Sequence, residues 1–460
     1  MKGSSFDLAA LLRQDQDFSL AGKIRAVWHL SVPAILAQIS SIMMQYIDAA
    51  MVGSLGASAS ASIGLVASST WLFGGLCMAA ASGFSVQVAQ AVGAGDYARA
   101  KDSFKQAIAF CLLFSSAAGA AGAALSFWLP RWLGGGKDIL ADARLYFLIF
   151  ALSLPVLQMV DLLGRMMQCS GNMKIPSILD ILMCALDVAF NFVFIMLLKL
   201  GVPGAALGTL CAMLTVLILG VYFACFRSPV LRLRGSGKVR LRRECLCMAA
   251  KISLPMGFEQ IALCGAMVLT TGIVAPLGTI AIAANSFAVT AESLCYMPGY
   301  GVASAATTLV GQSVGAGRRD LAKGFAWVTA GMGMTIMTLC GIIMYFACPA
   351  VFAFLTPDPN VRALGAAVLR LELIAEPLFA AAIVANGALR GAGDTLVPGI
   401  MTLGSIWGVR LTLSLLLVRS FGLHGVWIAM AAELCVRGAA FLLRLRRGRW
   451  LKAVENELPA

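Results

Sequence analysis

Leu30-Ser31-Val32-Pro33 returns as Ile252-Ser253-Leu254-Pro255, and Gln90-Ala91-Val92-Gly93-Ala94-Gly95 returns as Gln312-Ser313-Val314-Gly315-Ala316-Gly317. Both pairs stand 222 residues apart, position 31 against 253 and position 90 against 312. The same register carries Gln38 onto Gln260, Leu55-Gly56 onto Leu277-Gly278, Lys101 onto Lys323, Pro155 onto Pro377, Gly171 onto Gly393 and Pro176 onto Pro398. Gly201 and Gly204 meet Gly422 and Gly425 at 221, a single deletion. A register held this long marks an internal duplication, the feature to seek before any motif.

Each copy is too apolar for a soluble domain. The chain has 460 residues, 60% hydrophobic and 12% charged, with a mean hydropathy of +0.87; soluble domains carry about 25% charged residues. A helix needs about 20 apolar residues to cross a ~30 Å hydrocarbon core. Apolar stretches bounded by Gly, Pro or charge run near 31–53, 60–88, 103–129, 144–168, 173–198 and 203–226, then near 252–276, 280–312, 325–348, 363–389, 396–418 and 424–443. An open sheet cannot satisfy its backbone in lipid. The expectation is therefore an all-α integral membrane protein of about twelve transmembrane helices in two six-helix bundles. The organisation expected is a cytoplasmic leader over 1–29, an N-terminal lobe over 30–226, a basic linker over 227–251, a C-terminal lobe over 252–443 and a tail over 444–460.

The net charge of +13 fits basic loops retained on the inner side of a membrane better than nucleic-acid binding. Arg99, Lys101, Lys105, Lys174, Arg318, Arg319, Lys323, Arg390 and the tail fall on one side, with the linker from Arg227 to Lys251. Both termini are expected in the cytoplasm, in a bacterial inner membrane. The leader lacks an uninterrupted apolar core, so it does not read as a signal peptide. The basic linker with Gly235, Ser236 and Gly237 reads as a solvated, topology-setting joint, with binding to anionic lipid headgroups as the alternative. Six spans per copy is an even number, so both copies enter from the same side and are related by a pseudo-two-fold axis along the membrane normal. Two such bundles, rocking about a cleft, make a secondary transporter.

Ionisable residues inside spans cost about 2.5 to 3.5 kcal/mol each on insertion scales, so they mark function or pairing. Gln38, Ser41, Gln45 and Asp48 line one face of the first span, and Asp180, Asp187 and Asn191 one face of the fifth. Counted from the inner ends at 1.5 Å per residue, Asp48 and Asp187 lie roughly 25 and 21 Å deep. Asn191, and Thr209 on the sixth span, come to the same level. Asp48, Asp187, Asn191, Thr209 and Gln45 are the candidate cation or proton site, with Na⁺ held at Asp48, Asp187 and Asn191 if a metal ion is used. Desolvation and mutual proximity suit the two carboxyls to hold a proton. In the second copy these positions are Thr270 and Val409, so the halves are not equivalent. There Glu259, Glu376 and Arg410 form a candidate polar site, with Glu376 or Glu259 as partner for Arg410. Asp161 with Arg165, and Glu433 with Arg437, are i, i+4 pairs.

Other chemistry is disfavoured. His29 and His424 are the two histidines, too few for a histidine metal cluster or a hydrolase base-and-nucleophile arrangement. Several of the thirteen cysteines sit in apolar runs as small hydrophobes. Gly235-Ser236-Gly237-Lys238 fails as a phosphate loop, because Arg232 replaces its first glycine and Val239 its magnesium-binding hydroxyl. Arg390-Gly391-Ala392-Gly393-Asp394 lacks the third glycine of a dinucleotide fingerprint. No cofactor is expected and no enzyme activity; the energy comes from an ion gradient or from a partner.

Ile47-Asp48-Ala49-Ala50-Met51-Val52-Gly53, the two Val-Gly-Ala-Gly turns at Val92 and Val314, and Ala388-Leu389-Arg390-Gly391-Ala392-Gly393-Asp394-Thr395 together resemble the multidrug and toxic compound extrusion (MATE) family, over about residues 25–452. The resemblance implies twelve helices in two lobes and export of cationic or amphipathic compounds in exchange for H⁺ or Na⁺. It implies that Asp48 is the acidic residue of the family's first helix and that Pro33 can kink that helix. Asn191 and Asp187 stand where an archaeal branch has aspartate and asparagine, the pair exchanged, and Thr209 resembles that branch's threonine. Phe379 occupies the place of a tenth-helix aspartate of a bacterial branch, and Glu259 resembles a seventh-helix glutamate. The expected partners are small cationic molecules, H⁺ or Na⁺ and membrane lipid, with no nucleic acid. A flippase for a lipid-linked saccharide is the alternative, which calls for a cationic cleft.

Overall fold

The computed structural model describes residues 19–136, 138–233 and 242–452. The leader before residue 19, the Gly235-Ser236-Gly237 joint and the tail beyond 452 lie outside the described residues. Among the described residues there is no strand, as the need to satisfy every backbone amide locally in lipid requires. The first repeat builds α1 (Leu20–Gly53), α2 (Ala57–Ala94), α3 (Tyr97–Leu125), α4 (Leu140–Cys169), α5 (Lys174–Asn191) and α6 (Val202–Val221). The second builds α7 (Arg243–Val274), α8 (Thr279–Gly315), α9 (Arg319–Leu355), α10 (Pro359–Glu372), α11 (Glu376–Gly391), α12 (Leu396–Ser405), α13 (Thr412–Phe421) and α14 (Leu423–Arg447). α10 and α11 are pieces of one span, and α12 and α13 pieces of another joined by a π-helical segment, Ile406–Leu411.

Among the described residues, eleven helices are long and apolar enough to cross a membrane. The twelfth span, α10 with α11, is broken by a 3₁₀ turn at Leu373–Ala375. Pro377 explains the break, since it has no N–H to offer the Leu373 carbonyl one turn back. Its repeat mate Pro155 sits inside the unbroken α4. Pro33 likewise lies within a continuous α1. α1 and α7 begin at Leu20 and Arg243, ahead of the apolar runs at 31 and 252, because a helix continues past the lipid-facing part that hydropathy marks.

The duplication is written into the turns. Left-handed or otherwise positive φ values recur in pairs: 111° and 94° at Gly56 and Gly278, 79° and 73° at Gly95 and Gly317, 93° and 92° at Gly171 and Gly393, 65° and 56° at Gly201 and Gly422. At Gly95 and Gly317 the reason is a helix-ending pair of backbone hydrogen bonds. The Gly95 N–H donates to the Val92 carbonyl and the Asp96 N–H to the Ala91 carbonyl, at 3.1 and 2.9 Å. Gly317 and Arg318 repeat this onto Val314 and Ser313 at 3.0 and 2.9 Å. This closure needs a residue in the left-handed region, where a Cβ is penalised.

The contacts gather the chain into two compact units. Among the described residues, unit 1 holds Ser40–Gln260, and unit 2 holds α1 up to Ile39 with the chain from Ile261. Unit 1 packs Phe84, Phe104, Leu162 and Met166 into its core. The opening turns of α7 are pinned to α2 there: the Gly83 N–H donates to Ser253 Oγ at 3.2 Å, and Gln87 Nε2 to the Cys245 carbonyl at 3.0 Å. Unit 2 packs Phe352, Leu369, Ala380 and Trp427, and the Trp427 indole donates to Asn285 Oδ1 at 3.0 Å. Gly317→Val is expected to destabilise the protein by about 1–2 kcal/mol through its left-handed backbone, read as a lower melting temperature in detergent. An unchanged melting temperature would contradict the assignment of that turn.

Candidate functional site

Three polar residues of unit 1, Asp48, Asp187 and Asn191, meet at a single amide. Asp187 and Asn191 lie one turn apart on α5 and are fully buried, at 0% and 1% exposure, while Asp48 on α1 is half-buried. Asn191 Nδ2 donates one hydrogen to Asp48 Oδ1 at 2.8 Å and the other to Asp187 Oδ2 at 3.0 Å. The two carboxyls are electrostatic neighbours across that amide. Asp187 Oδ1 and Asn191 Oδ1 are buried with no hydrogen-bond partner, an arrangement that costs desolvation without return unless a further donor or cation arrives. Val52, Ala59, Ile195, Val202 and Ala205 pack into a small apolar cluster, with Val52 one turn from Asp48 on α1.

Local backbone chemistry places the trio. α5 passes directly after Asn191 into a π-helical segment, Phe192–Leu197, the kind of widened turn common at functional sites. Opposite, Gly208 on α6 leaves room for the amide: a Cβ there would run into Asn191 Oδ1. The Thr209 hydroxyl is spent inside its own helix, donating to the Ala205 carbonyl at 3.2 Å, so it does not join the trio through its proton. Gln45 is exposed on α1, and neither hydrogen of the amide goes to it. Sequence reasoning missed Gly208, and also Tyr146 on α4, which lies within electrostatic reach of both Asp48 and Asp187. Tyr146 is a lone hydroxyl in an apolar run with no spacing signal, whereas a helix-interior glycine one residue before Thr209 was a usable sign of close approach. Among the described residues, no group of three or more His, Cys, Asp or Glu side chains is arranged to hold a metal ion.

Unit 2 carries a different polar interior. Glu372 and Glu376 flank the break between α10 and α11, both at 0% exposure, and none of their four carboxyl oxygens has a hydrogen-bond partner. Glu292 on α8 faces both. Arg410, expected against Glu376 or Glu259, has Glu433, Glu292 and Glu372 as its acidic neighbours instead, and its guanidinium reaches Met430 Sδ at 2.8 Å. It lies in the π-helical segment Ile406–Leu411. Glu433 is held by Arg437 at 3.1 Å and by the Ser405 hydroxyl at 2.7 Å. Phe379 packs its ring against Tyr296 and under the Arg437 guanidinium, at 5.6 and 5.5 Å. Glu259 belongs to unit 1, so the three residues expected to form a second polar site do not share a unit.

Two repeats of membrane-spanning helices, each with a polar interior of its own, define a multi-pass membrane transporter. The MatE family model matches residues 33–193 and 255–416, one match in each repeat, and the chain belongs to the MATE family. It is 26% identical over 436 residues to the probable multidrug resistance protein NorM of Thermotoga maritima, covering 92% of each chain. It is 25% identical over 450 residues to the multidrug resistance protein PmpM of Pseudomonas aeruginosa, covering 94% of this chain and 92% of that one. Among solved structures, a MOP superfamily transporter from Pyrococcus furiosus superposes with a TM-score of 0.90 at 19% identity, covering 98% of this chain and 100% of that one. An outward-facing multidrug resistance MATE transporter gives 0.89 at 18% identity with full coverage of both chains.

The close approach at Gly208 makes a specific demand. Gly208→Val is expected to displace the Asn191 amide and to cost about 1–3 kcal/mol by overpacking, lowering the melting temperature in detergent. A wild-type melting temperature in Gly208→Val would contradict the packing described.

Proposed function

We propose that this protein exports cationic or amphipathic drugs and toxic compounds by antiport, with H⁺ as the counter-ion and Na⁺ as the alternative. It does so from a bacterial inner membrane with both termini in the cytoplasm. The repeats at 30–226 and 252–443 are its two functional lobes. The observation that carries this reading is the pair of carboxyls, Asp48 and Asp187, bridged by the Asn191 amide. Two carboxyls on different helices exceed what helix packing needs, and charge is too costly in lipid to be kept without use. The multidrug resistance names carried by relatives of similar length support drugs as the cargo.

The chemistry favours a proton. The space between the carboxyls is filled by an N–H₂ group, which a sodium ion would have to displace, turning the amide so that Oδ1 takes its place. Asp187 Oδ1 and Asn191 Oδ1 would then serve as oxygen ligands, the hard donors such an ion prefers. A proton needs no such rotation. When it binds, the Asp48–Asp187 pair loses a negative charge, the bridge from Asn191 weakens, and α1 is free to repack. Pro33 is the position where α1 yields, because no N–H there closes the preceding turn.

In cells lacking other efflux pumps, Asp48→Asn is expected to abolish ethidium efflux while the protein is made at the wild-type level, with efflux followed by dye fluorescence and expression by immunoblot. Ethidium efflux by Asp48→Asn at the wild-type rate would overturn the coupling role.

A further inference from the structure

A second set of buried polar groups lies between the Asp48–Asp187–Asn191 cluster and the turn that joins α4 to α5. α4 ends at Cys169 and α5 begins at Lys174, so depths counted from that turn share an origin on both helices. At 1.5 Å per residue, Arg165 stands about 6 Å from the turn, Asp180 about 9 Å, Asp161 about 12 Å, Gln158 about 17 Å and Asp187 about 20 Å. The polar groups thus form a ladder whose steps are a few ångströms, inside an otherwise apolar bundle.

The members are tied together by contact and charge. Arg165 Nε donates to Asp161 Oδ2 at 2.7 Å. Asp180, two turns from Asp187 on the same face of α5, has Asp161 and Arg165 as its charged neighbours. Asp161 also faces the Cys77 thiol of α2 and the Cys111 thiol of α3. Asp180 lines a small cleft with the apolar Val216 and Gly220 of α6, and among the described residues lining it Asp180 is the polar one. Two carboxyls against one guanidinium leave the set short of one positive charge, so it is more than a self-neutralising pair.

Gln158 supplies an independent observation. It is at 0% exposure, and neither its Oε1 nor its Nε2 has an oxygen or nitrogen partner, which leaves the weakly bonding Cys111 thiol as its polar neighbour. A buried amide with at most one thiol to bond calls for a bridging water or a transient hydrogen-bonded guest. It stands one turn from Asp161 and beside the Cys111 thiol, at the depth that separates Asp161 from Asp187. At the other end, the Asp161 and Arg165 side chains are 27% and 21% exposed, which opens the ladder to the surface of the unit.

We propose that Asp180, with the Asp161–Arg165 ion pair and the Gln158 amide, forms a proton path between the Asp48–Asp187–Asn191 cluster and the α4–α5 turn of unit 1. The proposal rests on the proton-antiport reading and adds the route to it. The proton on the Asp187 carboxyl leaves to a water held by Gln158. The Asp180 carboxylate accepts a proton from that water chain and gives it up to bulk water at the turn. Arg165 stays a cation throughout, and its bond to Asp161 fixes the position of the carboxyl that faces Asp180.

The test uses the full chain in proteoliposomes with a pH-sensitive dye trapped inside and an imposed ethidium gradient. In the wild type, ethidium movement is accompanied by opposite proton movement. Asp180→Asn is expected to slow this exchange by about tenfold or more, the scale of a lost proton-transfer group, and Asp180→Glu to restore it. Ethidium–ethidium counterflow, which needs no net proton movement, persists in Asp180→Asn. Gln158→Leu, which keeps every charge, slows the coupled exchange in the same direction. Coupled exchange at the wild-type rate in both Asp180→Asn and Gln158→Leu overturns the path. So does equal loss of counterflow in Asp180→Asn together with wild-type coupling in Gln158→Leu, which would make Asp180 a packing residue. A wild type that moves ethidium with sodium and no protons removes the antiport ion itself, a failure seen before any variant is made.

Discussion

An ionisable side chain inside a lipid-embedded helix bundle has to meet a partner, a proton or an ion, because the medium around it screens almost nothing. That constraint organises the interior of this transporter. In unit 1 it produces an amide with both hydrogens given to carboxyls, Asn191 between Asp48 and Asp187. In unit 2 it produces the Glu433–Arg437 pair closed by a serine hydroxyl, beside Glu372 and Glu376 whose oxygens are left without donors. Groups that are fully satisfied hold helices together, and groups that are half satisfied are where something can bind. The orphaned oxygens of Asp187, Asn191, Glu372 and Glu376 all fall in the second class.

The duplication supplies the scaffold and leaves the chemistry free to diverge. Four glycine turns recur with nearly matched φ values in the two repeats, so the paths of the helices are set by backbone rules that apply equally to both. The side chains that fill them are not matched: Asp48 corresponds to Thr270 and Asp187 to Val409. Even a retained residue acts differently according to its surroundings. Pro155 sits in a continuous helix, while Pro377 follows a 3₁₀ turn that exposes the flanks of Glu372 and Glu376 to the interior of unit 2. The second repeat therefore carries Glu372 and Glu376 at a helix break where the first keeps a continuous helix.

Hydropathy, the register of 222 and the paired glycines made the helical architecture and its twofold repetition legible in the sequence, because these are local properties that lipid and backbone geometry enforce. The convergence of Asp48, Asp187 and Asn191 was legible too, from helical periodicity and depth alone. What the sequence did not settle was which acidic group an embedded arginine meets. Arg410 needs one, but its neighbours Glu433, Glu292 and Glu372 come from other helices, and only tertiary packing selects them over Glu376 or Glu259. Thr209 was placed at the right depth, yet its hydroxyl turned back to its own helix, a competition between side chain and backbone that spacing does not reveal. Gly208 and Tyr146 escaped notice because their contribution is a close approach and a neighbouring surface, neither of which leaves a polar pattern.

The account stands or falls on whether the carboxyl pair couples transport to an ion gradient. The most direct measurement is ethidium movement in proteoliposomes of the wild type, with a proton gradient and a sodium gradient imposed separately and without any other energy source. The account predicts concentrative ethidium transport driven by the proton gradient. Absence of transport under both gradients, with the protein folded and inserted, would contradict it.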